Sequence, residues 1–202
     1  MEEADVDKEP YDSRVAPEND DRDLLIKAQN GDKQAFGKIV NRYKHRAFTT
    51  ALGLTGSSEA ALDLSQEAFV RAYRAIKRFD PDRPFFTWYY RILRNLCLNY
   101  LRNHARQARP FSEIGETFIN QIPDQGEDAE AHLEKQELAE LVWRAINQLT
   151  ALEREVIILR EFQNLSYREI AEILQISQGT VMSRLYNARR ALKTRIMGEI
   201  NE

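Results

Sequence analysis

Two four-residue segments, TALE at 150–153 and SYRE at 166–169, constrain the fold of this chain more tightly than any other feature in it. Each has the form Ser/Thr-x-x-Glu. In such a capping box the hydroxyl accepts from the backbone N–H three residues on, and the glutamate carboxylate accepts from the N–H of the first residue. Both segments therefore predict helix starts. TALE opens ALEREVIILREF, and SYRE opens the short YREIAEIL. A turn at Gln175–Ile176 follows, and Ser177 caps a third, longer helix. A short helix, a turn and a longer helix make a helix-turn-helix.

The third helix begins within ISQGTVMSRLYNARRAL, residues 176–192, which carries three arginines and no acid. At 100° per residue, Leu185, Ala188, Leu192 and Ile196 stay within about 60° of Val181, and these form the expected buried stripe. Ser183, Tyr186, Asn187, Arg190 and Lys193 point the other way. Arg184 and Arg189 flank the stripe. Ser177, Gly179 and Thr180 make the first turn, where backbone N–H groups at the positive end of the helix can hold a phosphate. The outer face offers donors, an aromatic ring and cations, which suits a DNA major groove. An ordinary amphipathic helix with a basic surface is the plainer alternative.

Charge divides the chain further. The net charge of -3 conceals ten acids and three bases in residues 1–23, then six acids and fifteen bases in residues 24–106. Residues 107–136 hold seven acids and two bases, and the remainder is balanced. A segment at net +9 inside an acidic chain points to a polyanion partner, with a solvated basic face as the alternative. Residues 1–23, polar and with Pro10 and Pro17, are expected to be a disordered tail. Residues 24–106 read as helices throughout. Leu25, Phe36, Ile39, Val40, Tyr43, Ala47, Phe48, Ala51 and Leu52 recur at helical spacing. Ser58 is the expected N-cap of EAALDLSQEAFVRAYRAIKRF, whose stripe is Ala61, Leu64, Ala68, Phe69, Tyr73 and Ile76. FDPDRP breaks the chain, and FFTWYYRILRNLCLNYLRNHAR makes one long helix. Residues 107–132 lose periodicity and read as an acidic linker. In residues 133–202 a stripe of Leu138, Leu141, Val142, Ala145 and Leu149 precedes the capped helices. The expected fold class is all-α: two small helical domains joined by a flexible acidic linker, the second a helix-turn-helix domain.

Several classes are disfavoured. The one cysteine, Cys97, forms no intramolecular disulfide and reads as a small buried hydrophobe. His45, His104 and His132 lie on different segments without metal-ligand spacing. No glycine-rich phosphate loop or nucleophile–base pair stands out. No cofactor, metal or catalytic activity of its own is expected. No apolar run is long enough to span a bilayer, and the N-terminus is acidic where a signal peptide is basic and then apolar. A cytoplasmic location without membrane insertion is expected.

Two long stretches carry a family resemblance. ALDLSQEAFVRAYRAIKRF…FFTWYYRILRNLCLNYLR resembles the first conserved domain of extracytoplasmic-function (group IV) sigma factors, and LTALEREVIILREFQNLSYREIAEILQISQGTVMSRLYNARRALK resembles their second. The resemblance implies a promoter-specificity subunit that binds bacterial core RNA polymerase and starts transcription of a stress or envelope regulon. It implies that Asp63, Gln66 and Glu67 dock on a coiled-coil clamp of the polymerase, although a solvated acidic face remains the alternative on residue chemistry alone. It implies that the segment after FDPDRP reads the minus-ten element, with a flipped base, through Phe79, Ile92 and Asn95. Arg83, Arg91 and Arg94 are candidate phosphate contacts there. Trp88, Tyr89 and Tyr90 fit either packing or stacking on unpaired bases.

The last helix resembles the reader of the minus-thirty-five element, through Ser177, Gly179, Thr180, Met182, Ser183, Tyr186, Asn187, Arg190 and Lys193. Many relatives carry arginine in place of Met182 and a basic residue in place of Asn187, so the pose carries over and the base preference does not. The linker resembles a segment that threads toward the polymerase active centre. Promoter DNA and core polymerase are the implied partners, with an anti-sigma factor as a possible third. The competing reading is a free-standing helix-turn-helix regulator that binds an operator without polymerase, and it leaves the basic first domain unexplained.

Overall fold

The computed structural model describes residues 19–104 and 129–200, and those residues are helical with short connections and no strand. In order they form α1 (Asn19–Gln29), α2 (Lys33–Thr55), α3 (Ser58–Ala75) with one 3-10 turn (Ile76–Arg78), and α4 (Phe85–His104). The second group is α5 (Ala129–Asn147), α6 (Ala151–Ile157) running into a π-helical turn (Ile158–Phe162), α7 (Tyr167–Leu174) and α8 (Gln178–Ile200).

Local chemistry accounts for the ends. Gly31, at φ 97°, breaks α1 from α2, and the Asp32 carboxylate accepts from the N–H of Gln34 and of Ala35, at 2.8 and 3.0 Å. Gly56, at φ 69°, ends α2 in the left-handed conformation and donates its N–H to the Leu52 carbonyl. The following residue is then extended, so Ser57 caps α3 and Ser58, the expected cap, becomes its first helical residue. Both capping boxes, Thr150/Glu153 and Ser166/Glu169, are formed reciprocally. Gln175 takes the left-handed conformation at the expected turn, and Ser177 accepts from the Thr180 N–H at 3.1 Å.

Two expectations give way. Residues 19–23 do not belong to a tail: they form the start of α1, and Asp21 is buried at 4% exposure. Its carboxylate accepts from the Arg42 guanidinium and the Tyr43 hydroxyl on α2, which compensates a burial that is otherwise costly. Arg22 reaches Asp82 in the loop before α4 at 2.6 Å. Residues 1–18 and 105–128, which hold the rest of the expected tail and most of the expected linker, lie outside the described residues. Helix α5 starts inside the expected linker, at Ala129. Of the expected stripe, Ala145 and Leu149 are buried, but Leu138 is 58% exposed, and Trp143 and Ile146, outside the stripe, are buried instead.

The first domain is built around rings. Tyr43, Phe69, Phe79, Phe85, Phe86, Trp88 and Tyr89 touch one another with centroids 4.5–6.0 Å apart. A buried side chain of this size stabilises by about 1.5–3 kcal/mol. Tyr89 donates to the Ser65 carbonyl at 3.0 Å, which satisfies its hydroxyl, and burial holds its pKa well above the usual phenol range. Cys97 has no exposure, and burial pushes its thiol up to about 12.

The two domains are docked on each other. α2 lies against α6 and the π turn, and α4 lies against α7. Arg46 of α2 donates to the side chain and the carbonyl of Gln163, at 2.6 and 3.0 Å, with its guanidinium 3.7 Å from the Phe86 ring centre. Desolvation there lowers Arg46 to about 10.

Candidate nucleic-acid interface

Three exposed faces carry the candidate residues. The first is on α4. Arg91 and Ile92 lie three and four residues after Trp88 and four and three before Asn95, so the four share a side of the helix. Arg91 and Asn95 are exposed, and Trp88 and Ile92 are half-buried. Arg83 stands in the preceding loop, with its side chain 78% exposed and 3.5 Å from Asp80. Phe79 departs from expectation: at 5% exposure it packs beneath Trp88, with ring centres 4.7 Å apart, and forms the floor of this face instead of its surface. Tyr89 and Tyr90 have no exposure and take the packing role. Arg94, expected to meet phosphate, is held by Glu155, and that hydrogen bond raises its pKa.

The loop before α4 is positioned by a residue with no signature in the sequence. Gln29, near the end of α1, donates to the carbonyls of Ile76 and Phe79, at 3.0 and 2.6 Å. A polar residue in a last helical turn is too common to single out. Glu155 was equally hidden. It lies in an ordinary amphipathic stretch, yet it is 5% exposed and accepts from Tyr90 at 2.7 Å as well as from Arg94.

The second face is on α8. Val181, Leu185 and Ala188 are buried, as the period requires. Met182, Ser183, Tyr186, Asn187, Arg190 and Lys193 are exposed, with Met182 at 53% and Tyr186 at 67%. Ser177 and Gly179 are exposed and Thr180 is half-buried at the first turn. The Ser177 hydroxyl lies 2.8 Å from that of Thr180, and Ser183 donates to the Thr180 carbonyl at 3.1 Å. Arg189 is turned aside by Glu161 of the π turn, through bonds of 3.1 and 2.9 Å, and this ties α8 to the helix behind it.

The third face is on α3. Asp63 and Gln66 are exposed, and Glu67 is half-buried and paired with Arg71 at 2.7 Å. Leu62 and Val70, exposed at 50% and 44%, fall with them inside an arc of about 140°. The two apolar residues were not singled out in the sequence. Their signal is that they lie off the core stripe.

Residues 39–107 match sigma-70 region 2 and residues 139–192 match sigma-70 region 4. The RNA polymerase sigma-H factor of Pseudomonas aeruginosa is 35% identical over 181 residues, which span 85% of this chain and 91% of that protein. The chain belongs to the extracytoplasmic-function group of the sigma-70 family. The ECF RNA polymerase sigma-E factor of Escherichia coli is also 35% identical, over 87% of this chain and 94% of its own. Among solved structures, CnrH in complex with the cytosolic domain of CnrY superposes with a TM-score of 0.66 at 28% identity, over 89% of this chain and 99% of that one. RpoE in complex with the anti-sigma factor NepR from Bartonella quintana, at 22% identity and a TM-score of 0.61 over 80% of this chain and 96% of that one, supports the fold.

This sigma factor is thus a promoter-recognition subunit of RNA polymerase, with α2 to α4 in its region 2 and α5 to α8 in its region 4. The region 2 match accounts for the basic first domain, which a free-standing regulator does not. Among the described residues, no helix is long and apolar enough to cross a membrane.

Proposed function

We propose that the three faces divide the work of promoter recognition. Region 4 presents α8 to the minus-thirty-five duplex, where Met182, Ser183, Tyr186 and Asn187 meet base edges and Arg190 and Lys193 meet phosphate. The Ser177–Thr180 turn sets its N–H groups toward the backbone. Region 2 presents Trp88, Arg91, Ile92 and Asn95 to the opened minus-ten strand, with Arg83 on its backbone and Phe79 supporting the Trp88 ring from below. Asp63, Gln66 and Glu67, with Leu62 and Val70 beside them, form the core-polymerase surface. The sigma factor carries out no bond chemistry of its own and acts by binding and opening DNA in the cytoplasm, on a stress or envelope regulon.

The observation that carries this reading is the exposed α8 face, which lacks acids, beside a fully buried Val181–Leu185–Ala188 stripe. The α4 assignment is tested by Asn95→Ala in holoenzyme. Core binding is expected to persist while permanganate footprints of the open complex fade. Undiminished footprints would contradict the assignment.

An anti-sigma factor is a further partner under this reading, since RpoE was solved with the anti-sigma factor NepR and CnrH with the cytosolic domain of CnrY. Purification from uninduced cells is expected to recover the sigma factor with a second, non-polymerase protein. Recovery with polymerase alone would argue against an anti-sigma partner.

A further inference from the structure

The loop that leads into α4 has few fixed points of its own. The 3-10 turn closes where the Phe79 N–H donates to the Ile76 carbonyl at 3.0 Å, and Phe79 then leaves in an extended conformation. Asp80–Arg83 forms a separate turn, with the Arg83 N–H donating to the Asp80 carbonyl at 3.0 Å. The join between these turns is held from outside. Nε2 of Gln29 donates to the Ile76 carbonyl at 3.0 Å and to the Phe79 carbonyl at 2.6 Å. Two acceptors use both N–H groups of one amide, and an oxygen in that place would meet only oxygen. The other tie to α1, between Arg22 and Asp82, is exposed at both ends, where an ion pair contributes little. Gln29 lies ahead of residues 39–107, which match region 2.

The effect of this anchor extends to the face of α4. Fixing the carbonyls of Ile76 and Phe79 fixes where the Phe79 side chain leaves the backbone. Its ring is 5% exposed and meets the Trp88 ring with centres 4.7 Å apart and Phe85 edge-on at 5.9 Å. Trp88 is half-buried, resting on Phe79 and leaving part of its ring open on the face it shares with Arg91, Ile92 and Asn95. Recognition groups have to be held within about 0.5 Å of their working positions to discriminate. A contact that sets the floor beneath Trp88 therefore bears on what that face can tell apart.

We propose that Gln29 is a positioning residue for promoter reading: by holding the Ile76 and Phe79 carbonyls it seats the Phe79 ring under Trp88, and so sets the face with which α4 discriminates minus-ten bases. The proposal rests on the assignment of α4 to the minus-ten strand.

The test compares full-length wild type with Gln29→Glu, Gln29→Ala and Gln29→Lys. Glutamate keeps the shape of the side chain and turns oxygen toward both carbonyls. Alanine removes the donors, and lysine supplies donors again. The first readout is iodide quenching of tryptophan fluorescence. The chain has two tryptophans, and Trp143 is 2% exposed and shielded, so quenching reports Trp88. The second is holoenzyme transcription from promoters randomised in the minus-ten element, read as the ratio between the most and the least favoured base. Loss of folded protein lowers all transcripts together, so a merely structural role leaves that ratio unchanged. Gln29→Glu and Gln29→Ala are expected to raise the quenching and to lower the ratio about tenfold, the order of effect that loss of a buried hydrogen bond carries. The preference in a pool randomised at minus thirty-five is expected to stay as in wild type. Gln29→Lys is expected to keep both readouts near wild type. Unchanged quenching in Gln29→Ala would overturn the seating of Trp88 by Gln29, and raised quenching with an unchanged minus-ten ratio would overturn its part in discrimination. Should Gln29→Glu melt well below wild type, Gln29→Ala carries the same two expectations. Quenching needs no DNA, so a failure of the Asn95→Ala footprint test, which would remove α4 from the minus-ten strand, leaves the first readout standing.

Discussion

The outer face of α8 sorts its residues by position along the helix. Met182, Ser183 and Tyr186 stand in the first turns, where a helix entering a groove end-on meets base edges, while Arg190 and Lys193 stand one to two turns further on. Phosphate contacts add affinity without sequence information, and base contacts add discrimination. Arg190→Ala is expected to weaken promoter binding nearly uniformly across sequences and to lower the salt slope by about one. Met182 is 53% exposed and apolar, suited to a thymine methyl, whereas an arginine seeks guanine. Met182→Arg is therefore expected to change the preferred minus-thirty-five base with a discrimination of about 1–3 kcal/mol. Holoenzyme transcription from promoters randomised in that element measures both. A preference moved by Arg190→Ala and left alone by Met182→Arg would reverse the two roles.

At the scale of the helix, α3 turns one mixed face outward in a domain that is otherwise basic. Reversing charge with Asp63→Lys and Glu67→Lys is expected to weaken core binding at least tenfold, about 1.4 kcal/mol, with the domain still folded because Asp63 is exposed and Glu67 only half-buried. An unchanged affinity in titration with core polymerase would contradict the docking role. Helices of this kind were legible in the sequence wherever their causes are local. Capping boxes act over three residues, and the Val181–Leu185–Ala188 stripe follows from period alone. What escaped was set by distant partners. The first turn of α1 depends on Arg42 and Tyr43 of the next helix receiving Asp21. The placement of Phe79 depends on Gln29, fifty residues earlier in the chain, and that of Arg94 on Glu155, sixty-one residues later. Neither pairing leaves a trace in periodicity or charge count, because each residue type is ordinary where it stands. The off-by-one cap at Ser57 is the smaller case, in which a left-handed Gly56 decides which of two adjacent serines becomes extended.

At the scale of the molecule, the proposed assignment makes a basic region 2 and an acid-free α8 face two polyanion-binding surfaces on one chain. Placed on separate promoter elements they add their binding free energies, and the polymerase supplies the frame that spaces them. Neither surface alone is expected to match the affinity of a dedicated operator-binding dimer. The most direct measurement is run-off transcription from genomic fragments by core polymerase, with and without this sigma factor, alongside binding of the same fragments to the sigma factor alone. Promoter recognition as a polymerase subunit predicts discrete transcripts only when both proteins are present, from start sites that share one minus-ten and one minus-thirty-five sequence, and only weak duplex binding without polymerase. No new start sites in the presence of the sigma factor, or duplex binding by it alone in the nanomolar range typical of specific repressors, would contradict it.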